Sequence, residues 1–294
     1  MILLVVNSCK KEVKIPELFT TELSAVNETS AICGGFISAV DDKKADITDR
    51  GVCWSTNPNP SIADNKTSDG SGSGSYTSLM TGLTAHTTYY VRAYATNSAG
   101  TSYGNIVAFS TMKPVIDYDG NVYNTIQIGT QVWMIENLNV THYRDGSMIP
   151  VVTNTIDWSN LTSDACCNYN DDLSTSDIYG KQYNWYAVND SRMIAPMGWH
   201  VASYYEWETL VIYLGGVSLA GGKLKEAGVA HWLTPNTGAT NETGFTALPA
   251  GARNDSGVFI YLTTNAGWWT STELMTNYAG IFGIAYNQSN ATGT

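Results

Sequence analysis

The first 110 residues alternate between apolar and polar positions in short runs that turn residues separate. Residues 29–37, 47–55 and 106–110 carry such runs, and residues 83–95 carry the longest one. A strand places successive side chains on opposite faces, so each run predicts a strand with one buried face. Many short strands with turns between them are typical of a β-sandwich.

Residues 83–95 show the alternation most clearly. One predicted face holds Tyr89, Val91, Ala93 and Ala95, and the other holds Tyr90, Arg92 and Tyr94. Ahead of this run, Asp69 is followed by alternating Gly and Ser at residues 70–75. A phosphate-binding loop would need a lysine after its glycines and a helix behind them. Neither feature is present, and the stretch is interpreted as a loop between strands.

The pattern changes after residue 112. Asp119-Gly120 and Gly129-Thr130 are hairpin signals flanked by alternating apolar residues, and they predict an antiparallel meander over residues 115–134. Tyrosines recur at helical spacing within residues 179–189. Few helices among short aromatic strands predict an α+β domain with long loops.

One helix has a clear beginning and end in the sequence. Ser203 and Glu206 have the spacing of a capping box, in which the hydroxyl and the carboxylate each accept from a backbone N–H. The apolar stripe that follows is Trp207, Leu210, Val211 and Leu214. Gly215 and Gly216 then supply a left-handed stop.

Charge and hydropathy exclude some classes of protein. The 294 residues carry a net charge of −11, and the part after residue 112 has 16 acidic and 7 basic residues. Nucleic-acid binding needs a Lys/Arg stripe, which is missing, so no nucleic-acid partner is expected. No apolar run approaches the roughly 20 residues that span a bilayer.

The N-terminus has an apolar stub that leads into Asn7-Ser8-Cys9-Lys10. Small residues before a cysteine resemble a bacterial lipobox, so Cys9 is predicted to carry the lipid that anchors the protein to a membrane. The stub is too short for a complete signal peptide. The alternative is an unlipidated terminus with an idle thiol. For Cys33, Cys53, Cys166 and Cys167, which lack zinc-site spacing, we expect free or loosely paired thiols.

The first half resembles a fibronectin type III domain. Leu83, Tyr89, Val91, Ala93 and Ala95 match that family's Leu…Tyr-x-Val-x-Val-x-Ala strand, and residues 51–56 and 96–100 match turns of a bacterial subgroup. The resemblance covers about residues 18–112. It implies an all-β sandwich that serves as a spacer or adhesion module.

The second half resembles the Fibrobacter succinogenes major paralogous domain family. The motifs run in order over residues 115–279: 133–138, 142–146, 183–188, 198–201, 220–226, 235–249 and 268–273. The resemblance implies a C-type-lectin-like α+β fold, shared with formylglycine-generating enzymes, in exported proteins that are often lipoproteins and have no established activity. It divides the chain into residues 1–17 (signal remnant and tether), 18–112 and 113–294.

The sequence departs from that family at two positions. The family has a cysteine shortly before Gly-Trp-His, where this chain has Ala195, and another in a final strand. The second position is not reached before Thr294. We therefore expect a lost bridge, or a domain without its last strand, which would leave an exposed sheet edge.

Two catalytic interpretations are weaker than their structural alternatives. His200, Ser203 and Glu206 could be drawn as a triad, but a helix cap already explains the last two, and His200 is predicted to lie in a strand. No pair of carboxylates has the placement that glycosidase chemistry needs. The copper-binding cysteines of the formylglycine-generating enzymes also have no counterpart in this sequence.

Two binding interpretations remain open. The acidic loop around Asp171 and Asp172 has the oxygen ligands that calcium prefers, without EF-hand spacing, and a solvated loop is the favoured alternative. The candidate residues for stacking or hydrogen bonding with a ligand are Trp268, Trp269, Glu273 and Tyr278. Adjacent strand residues point to opposite faces, so at least one of the two tryptophans is expected in the core.

Together these observations predict a two-domain, lipid-anchored envelope protein, most consistent with the outer membrane of a Bacteroidetes-type bacterium. Its expected role is to bind a glycan or protein ligand without catalysis and without a required cofactor. A structural component of surface assemblies is the alternative, and an enzyme of the formylglycine-generating type ranks third.

Overall fold

The computed structural model describes residues 13–38, 46–275 and 278–293. The chain divides into two compact units, Met1–Met112 and Lys113–Thr294. Cys9, the predicted lipidation site, lies outside the described residues. In the described part, no helix is both long and apolar enough to cross a membrane.

The first unit is built from two antiparallel sheets. The strands are β1 (Leu18–Thr20), β2 (Ala31–Ile37), β3 (Asp49–Ser55), β4 (Asn65–Lys66), β5 (Gly74–Met80), β6 (Thr88–Asn97), β7 (Gly100–Tyr103) and β8 (Val107–Ser110). One sheet has the order β1-β2-β5, and the other has the order β4-β3-β6-β7, with β8 also pairing with β6. Apolar side chains of both sheets form its core, as in a β-sandwich.

The predicted alternation in β6 is confirmed. Its inward face, Tyr89, Val91, Ala93 and Ala95, is buried. On the opposite face Tyr94 is also fully buried, and its hydroxyl lies within hydrogen-bond distance of two acceptors, Thr67 O at 2.6 Å and Asp49 Oδ2 at 2.9 Å. The strand begins at Thr88 and not at Leu83, because residues 84–87 form a turn in which Tyr89 Oη accepts from Thr84 N at 3.0 Å.

The Gly/Ser-rich stretch lies between β4 and β5, as the sequence predicts. Gly70, Gly72 and Gly74 have φ angles of 88°, 88° and 94°. Glycine adopts this left-handed region without a steric cost, which accounts for its repetition here. The loop precedes a strand, and no helix follows it.

The second unit mixes strands and short helices. Its strands are β9 (Val115–Ile116), β10 (Val122–Tyr123), β11 (Thr125–Ile128), β12 (Gln131–Met134), β13 (Cys166–Cys167), β14 (Gln182–Tyr183), β15 (Ala250–Arg253), β16 (Phe259–Leu262), β17 (Asn265–Met275), β18 (Tyr278–Ala285) and β19 (Ala291–Gly293). Its helices are α1 (Thr155–Ser159), α2 (Leu173–Tyr179), α3 (Trp185–Val188), α4 (Tyr204–Tyr213) and α5 (Val217–Leu224), with a 3-10 turn at Tyr169–Asp171. The largest sheet has the order β17-β18-β19.

The predicted meander over residues 115–134 is two separate hairpins. β11 and β12 are joined by the two-residue turn at Gly129-Thr130, as predicted. β9 and β10 are joined by residues 117–121, a wider loop than Asp119-Gly120 suggested. The cause is Asp117, whose carboxylate accepts from Asn121 N at 2.9 Å and holds the wider loop closed.

The helical spacing over residues 179–189 does not form one helix, so that prediction is wrong. α2 ends at Tyr179, because Gly180 turns the chain with φ = 73° and a Cβ there would lie 2.7 Å from Asn137 Cβ. After β14, Asn184 caps α3 by accepting from Ala187 N. The tyrosine spacing therefore belongs to three short elements.

Helix α4 confirms its predicted beginning, stripe and end. Ser203 and Glu206 form the capping box, with both hydrogen bonds present. The stripe of Trp207, Leu210, Val211 and Leu214 is buried. Gly215 and Gly216 follow with φ angles of 93° and 96°.

The second unit also buries a lysine at the end of α5. Lys225 is fully buried, and its Nζ donates to three backbone carbonyls at 2.9–3.1 Å. Burial lowers the pKa of Lys225 to about 8, so the ammonium is still mainly protonated at neutral pH. It therefore joins the loop at Thr237 to the end of β18 at Ala285 and to the loop at Gln288.

The four described cysteines are free and buried. Burial raises the pKa of each thiol, which leaves little reactive thiolate at neutral pH. These residues are Cys33, Cys53, Cys166 and Cys167. They serve as small apolar core residues.

Candidate functional site

The second unit contains a pocket of about 520 Å³. β12 and the residues after it form one wall, residues 195–202 form another, and the start of α4 and β17 contribute the rest. Six of its lining residues are aromatic: Trp133, Trp199, Trp207, Phe245, Trp268 and Trp269. The volume lies within the range of about 300–1,000 Å³ of small-molecule sites.

Packed aromatic rings make the floor of the pocket rigid. Trp207 stacks on Phe282 with ring centroids 4.1 Å apart and an interplanar angle of 10°, and Trp133 lies 4.5 Å from Trp207. Phe245 contacts both tryptophans edge-on, with ring centroids 6.1 Å from Trp133 and 6.0 Å from Trp207. Ring pairs of this kind contribute about 0.5–1.5 kcal/mol each beyond their buried area.

Trp268 and Trp269 both line the pocket, and each is half-buried. Neither is fully buried, but Trp268 packs against the buried rings of Trp207, Phe245 and Phe282 at centroid distances of 5.4, 5.9 and 6.2 Å, in line with the expectation that at least one of the two contributes to the core. Each indole N–H has a fixed partner: Trp268 Nε1 donates to Asn137 Oδ1 at 2.9 Å, and Trp269 Nε1 donates to Tyr183 O at 2.8 Å. Both rings are held in place while part of each stays accessible.

The wall of residues 195–202 is held by Arg144. Its Nε and Nη2 donate to Ala195 O at 3.1 and 2.9 Å, and Nη2 also donates to Pro196 O at 2.9 Å and Trp199 O at 2.7 Å. These residues form no regular element of their own. The guanidinium therefore sets the position of Trp199, whose half-buried side chain faces the pocket lining.

His200, Ser203 and Glu206 lie together beside the pocket, but their hydrogen bonds do not connect them in the order of a catalytic triad. Glu206 is in the middle: Oε1 is 2.8 Å from His200 Nε2, and Oε2 accepts from Ser203 N at 2.7 Å and Ser203 Oγ at 2.8 Å. His200 lies in a loop, not in the predicted strand, and its ring is exposed. The reason is that Glu206 draws the ring towards the cap of α4.

This order fixes the chemistry of the group. Burial of Glu206 opposes its ionisation, but the hydrogen bonds from Ser203 and His200 outweigh burial and hold the pKa of Glu206 below its usual value. Glu206 is thus an ionised acceptor. The Ser203 hydroxyl donates to a carboxylate and not to His200, so this group lacks the nucleophile-to-base contact that a triad needs.

The lining contains one more carboxylate, Glu136. It accepts from Asn124 N and Asn124 Nδ2, both at 2.7 Å. These donors are neutral, and Glu136 is in no ion pair among the described residues. The lining has no Lys or Arg. The pocket is therefore aromatic, acceptor-rich and without a fixed positive charge.

Glu273, another predicted ligand residue, lies outside this lining. It is exposed on β17 and pairs in register with Ala279. The backbone of Tyr278 begins β18 opposite Met275. Of the predicted ligand residues whose side chains the structure describes, it brings the two tryptophans to the pocket and leaves Glu273 outside.

The acidic loop proposed for calcium is divided among structural roles. Asp172 caps α2 by accepting from Ser174 N and Ser174 Oγ, at 2.9 and 2.8 Å. Asp171 lies in the 3-10 turn with φ = 58° and is exposed. Over residues 13–38, 46–275 and 278–293, no group of three or more His, Cys, Asp or Glu side chains is placed to hold a metal ion.

The sequence does not single out the lining residues Trp133, Glu136, Trp199 and Trp207 as parts of one site. Nor does it single out Arg144, which holds one wall of the pocket from outside the lining. The signal was present, since all except Trp207 fall in the motifs 133–138, 142–146 and 198–201. What was missing was the fact that these motifs meet in space.

Comparison with known proteins adds the relatives of each unit. No curated protein matches the sequence. Among solved structures, the sensor domain of the anti-sigma factor RsgI4 of Pseudobacteroides cellulosolvens is 19% identical, with a TM-score of 0.26 over 33% of this chain and 76% of that chain. The fn3 domain of human contactin 1 is 20% identical, with a TM-score of 0.26 over 38% of this chain and 88% of that chain.

These structures match the N-terminal part, where the two sheets themselves define the sandwich. For the second unit, the model of the Fibrobacter succinogenes major domain family matches residues 126–290, more than half of the chain. The matched range contains every element that lines the pocket. The chain therefore belongs to the Fibrobacter succinogenes major domain family.

Proposed function

We propose that this chain is a cell-envelope binding protein whose second unit holds a glycan or protein ligand in the aromatic pocket without turning it over. The observation that carries the proposal is the pocket itself: about 520 Å³, walled by tryptophans whose positions are fixed by protein contacts. A site ordered in advance loses less entropy when it binds. Family membership supports a surface or binding role.

The bonding of the polar lining supports binding over catalysis. Proton transfer needs a group that can give or take a proton at a reacting atom. Glu206 is occupied by the helix cap and by His200, and the hydroxyl of Ser203 is turned to Glu206. We propose that these groups shape the rim of the pocket.

The location of the protein is a separate part of the proposal. The lipobox-like sequence around Cys9 supports export and lipid anchoring, with the sandwich as a spacer and the second unit as a C-type-lectin-like head. Mass spectrometry of the native N-terminal peptide tests this. We expect acyl chains on Cys9 and none after Cys9→Ala, and an unmodified wild-type peptide would contradict lipid anchoring.

Binding is tested on the full chain with glycan arrays and pull-downs. We expect a saturable ligand whose binding is lost in Trp199→Ala, because that ring is a wall of the pocket. Tyr205→Ala is the matched control, since Tyr205 is an exposed aromatic residue outside the lining. Equal binding by both variants would place the ligand elsewhere. Ordered self-assembly with no saturable ligand would favour a structural role.

A further inference from the structure

We infer that the group this pocket accepts is an organic cation, a quaternary ammonium presented by the ligand. The inference rests on the proposed binding function and adds the chemistry of the bound group. Three independent features support it: the charge of the lining, the arrangement of the rings and the charge of the whole unit.

The lining offers two carboxylates that pair with no Lys or Arg side chain of the described residues. Glu136 accepts hydrogen bonds from two neutral donors of Asn124. Glu206 is shared with Ser203 and His200. Arg144 contacts the wall, but it is not a lining residue, and its guanidinium is engaged by three carbonyls. An anionic group entering the pocket would meet repulsion and find no guanidinium or ammonium to pair with.

The rings offer a second source of attraction for a cation. The face of an indole ring is electron-rich, and it attracts a cation that lies within about 6 Å of its centre. Five of the nine tryptophans of the chain line this one pocket. Trp199, Trp268 and Trp269 are only half-buried, which leaves ring surface for a ligand. Trp199 makes no ring contact with another aromatic residue in the described part of the chain.

The unit as a whole attracts cations. From Lys113 onward the chain has 16 acidic and 7 basic residues. A cleft with negative groups and low-dielectric aromatic walls concentrates this field and raises the association rate of positive ligands. The effect weakens with salt, because the Debye length is about 8 Å at physiological ionic strength.

The test compares two ligands of the same shape that differ in charge. Choline and its neutral isostere 3,3-dimethylbutan-1-ol are titrated into the full chain, with tryptophan fluorescence and calorimetry as readouts. We expect choline to bind with a Kd below about 10 mM, and at least tenfold more tightly than the neutral isostere; tenfold equals about 1.4 kcal/mol. Equal affinities, or no saturable binding of choline, would overturn the inference.

Two substitutions localise the effect. Glu136→Gln removes the charge and keeps an acceptor. It should weaken the binding of choline about three- to tenfold while leaving the affinity for the neutral isostere unchanged. Trp199→Leu should weaken the binding of choline by a similar factor, because it removes the electron-rich ring face. Glu208→Gln is the control for charge, because Glu208 is exposed on α4 outside the lining. If Glu208→Gln weakened the binding of choline equally, the net charge of the unit would account for the effect, and a binding site in the pocket would be contradicted.

The outcome also separates this inference from the function it rests on. A neutral glycan or an uncharged peptide could bind in a Trp199-dependent manner while choline does not bind. That result would refute the inference that the pocket accepts a cation, and the proposed binding function would stand. If neither choline nor any arrayed ligand responds to Trp199→Leu in a variant with wild-type circular dichroism, both fail.

Discussion

Arg144→Met should loosen one wall of the pocket and destabilise the second unit. The guanidinium makes four hydrogen bonds to three carbonyls, at 2.7–3.1 Å. Two of these carbonyls belong to the buried residues Ala195 and Pro196. A buried acceptor that loses its partner costs about 1–3 kcal/mol. Because water can reach the half-exposed Arg144 position, we expect each of the three carbonyls to cost about 1 kcal/mol, the lower end of this range, which makes a total loss of unfolding free energy of about 3 kcal/mol.

Urea unfolding followed by tryptophan fluorescence measures this loss. The signal reports the second unit, which has eight of the nine tryptophans. With a urea dependence of about 1–3 kcal/mol/M, a loss of 3 kcal/mol shifts the midpoint by at least about 1 M. The matched control is Lys223→Met, which breaks the solvent-accessible pair with Glu242 and should cost no more than about 1 kcal/mol.

A second readout connects this residue to binding. Methionine fills part of the same volume but cannot donate, so the position of Trp199 becomes less fixed and ligand affinity should fall. Arg144→Lys keeps the charge but lacks the planar fork, and it should recover only part of the stability. If Arg144→Met unfolds at the wild-type midpoint and binds ligand normally, then Arg144 does not hold this wall and the reasoning is refuted.

Three further substitutions test other parts of the fold. Glu206→Ala should cost about 1 kcal/mol of unfolding free energy at pH 7, because it removes the capping box. The hydrogen bonds from Ser203 and His200 outweigh burial and hold the pKa of Glu206 below its usual value, so the difference from wild type should be present above about pH 4.5 and disappear as pH falls through the folded pKa. Urea unfolding at pH 7 and pH 3 measures this difference. Lys225→Met should lower the free energy of unfolding by about 3 kcal/mol, because three carbonyls lose their donor; an unchanged thermal midpoint would contradict this. Tyr89→Phe should cost about 1 kcal/mol in the first unit, because Thr84 N loses its acceptor, and the thermal midpoint of residues 1–112 within the full chain checks it.

The sequence was sufficient where neighbouring residues decide the structure. The capping box at Ser203 and Glu206, the buried stripe of α4 and the alternating face of β6 each depend on residues a few positions apart. Local spacing sets which side chains share a face, and the hydrophobic effect decides which face is buried. The same reasoning failed at residues 179–189, where contact of Gly180 with the distant Asn137 ends the helix.

The pocket was decided by tertiary structure. Its walls come from residues 130–138, 195–207, 245 and 268–269, and no local pattern states that these segments meet. Both tryptophans of β17 reach the pocket because their indole N–H groups are held by Asn137 and Tyr183, far away in sequence. Composition established an acidic chain rich in aromatic residues. Only folding gathered five tryptophans and two carboxylates around one cavity, because the contacts that place them join residues up to 131 positions apart.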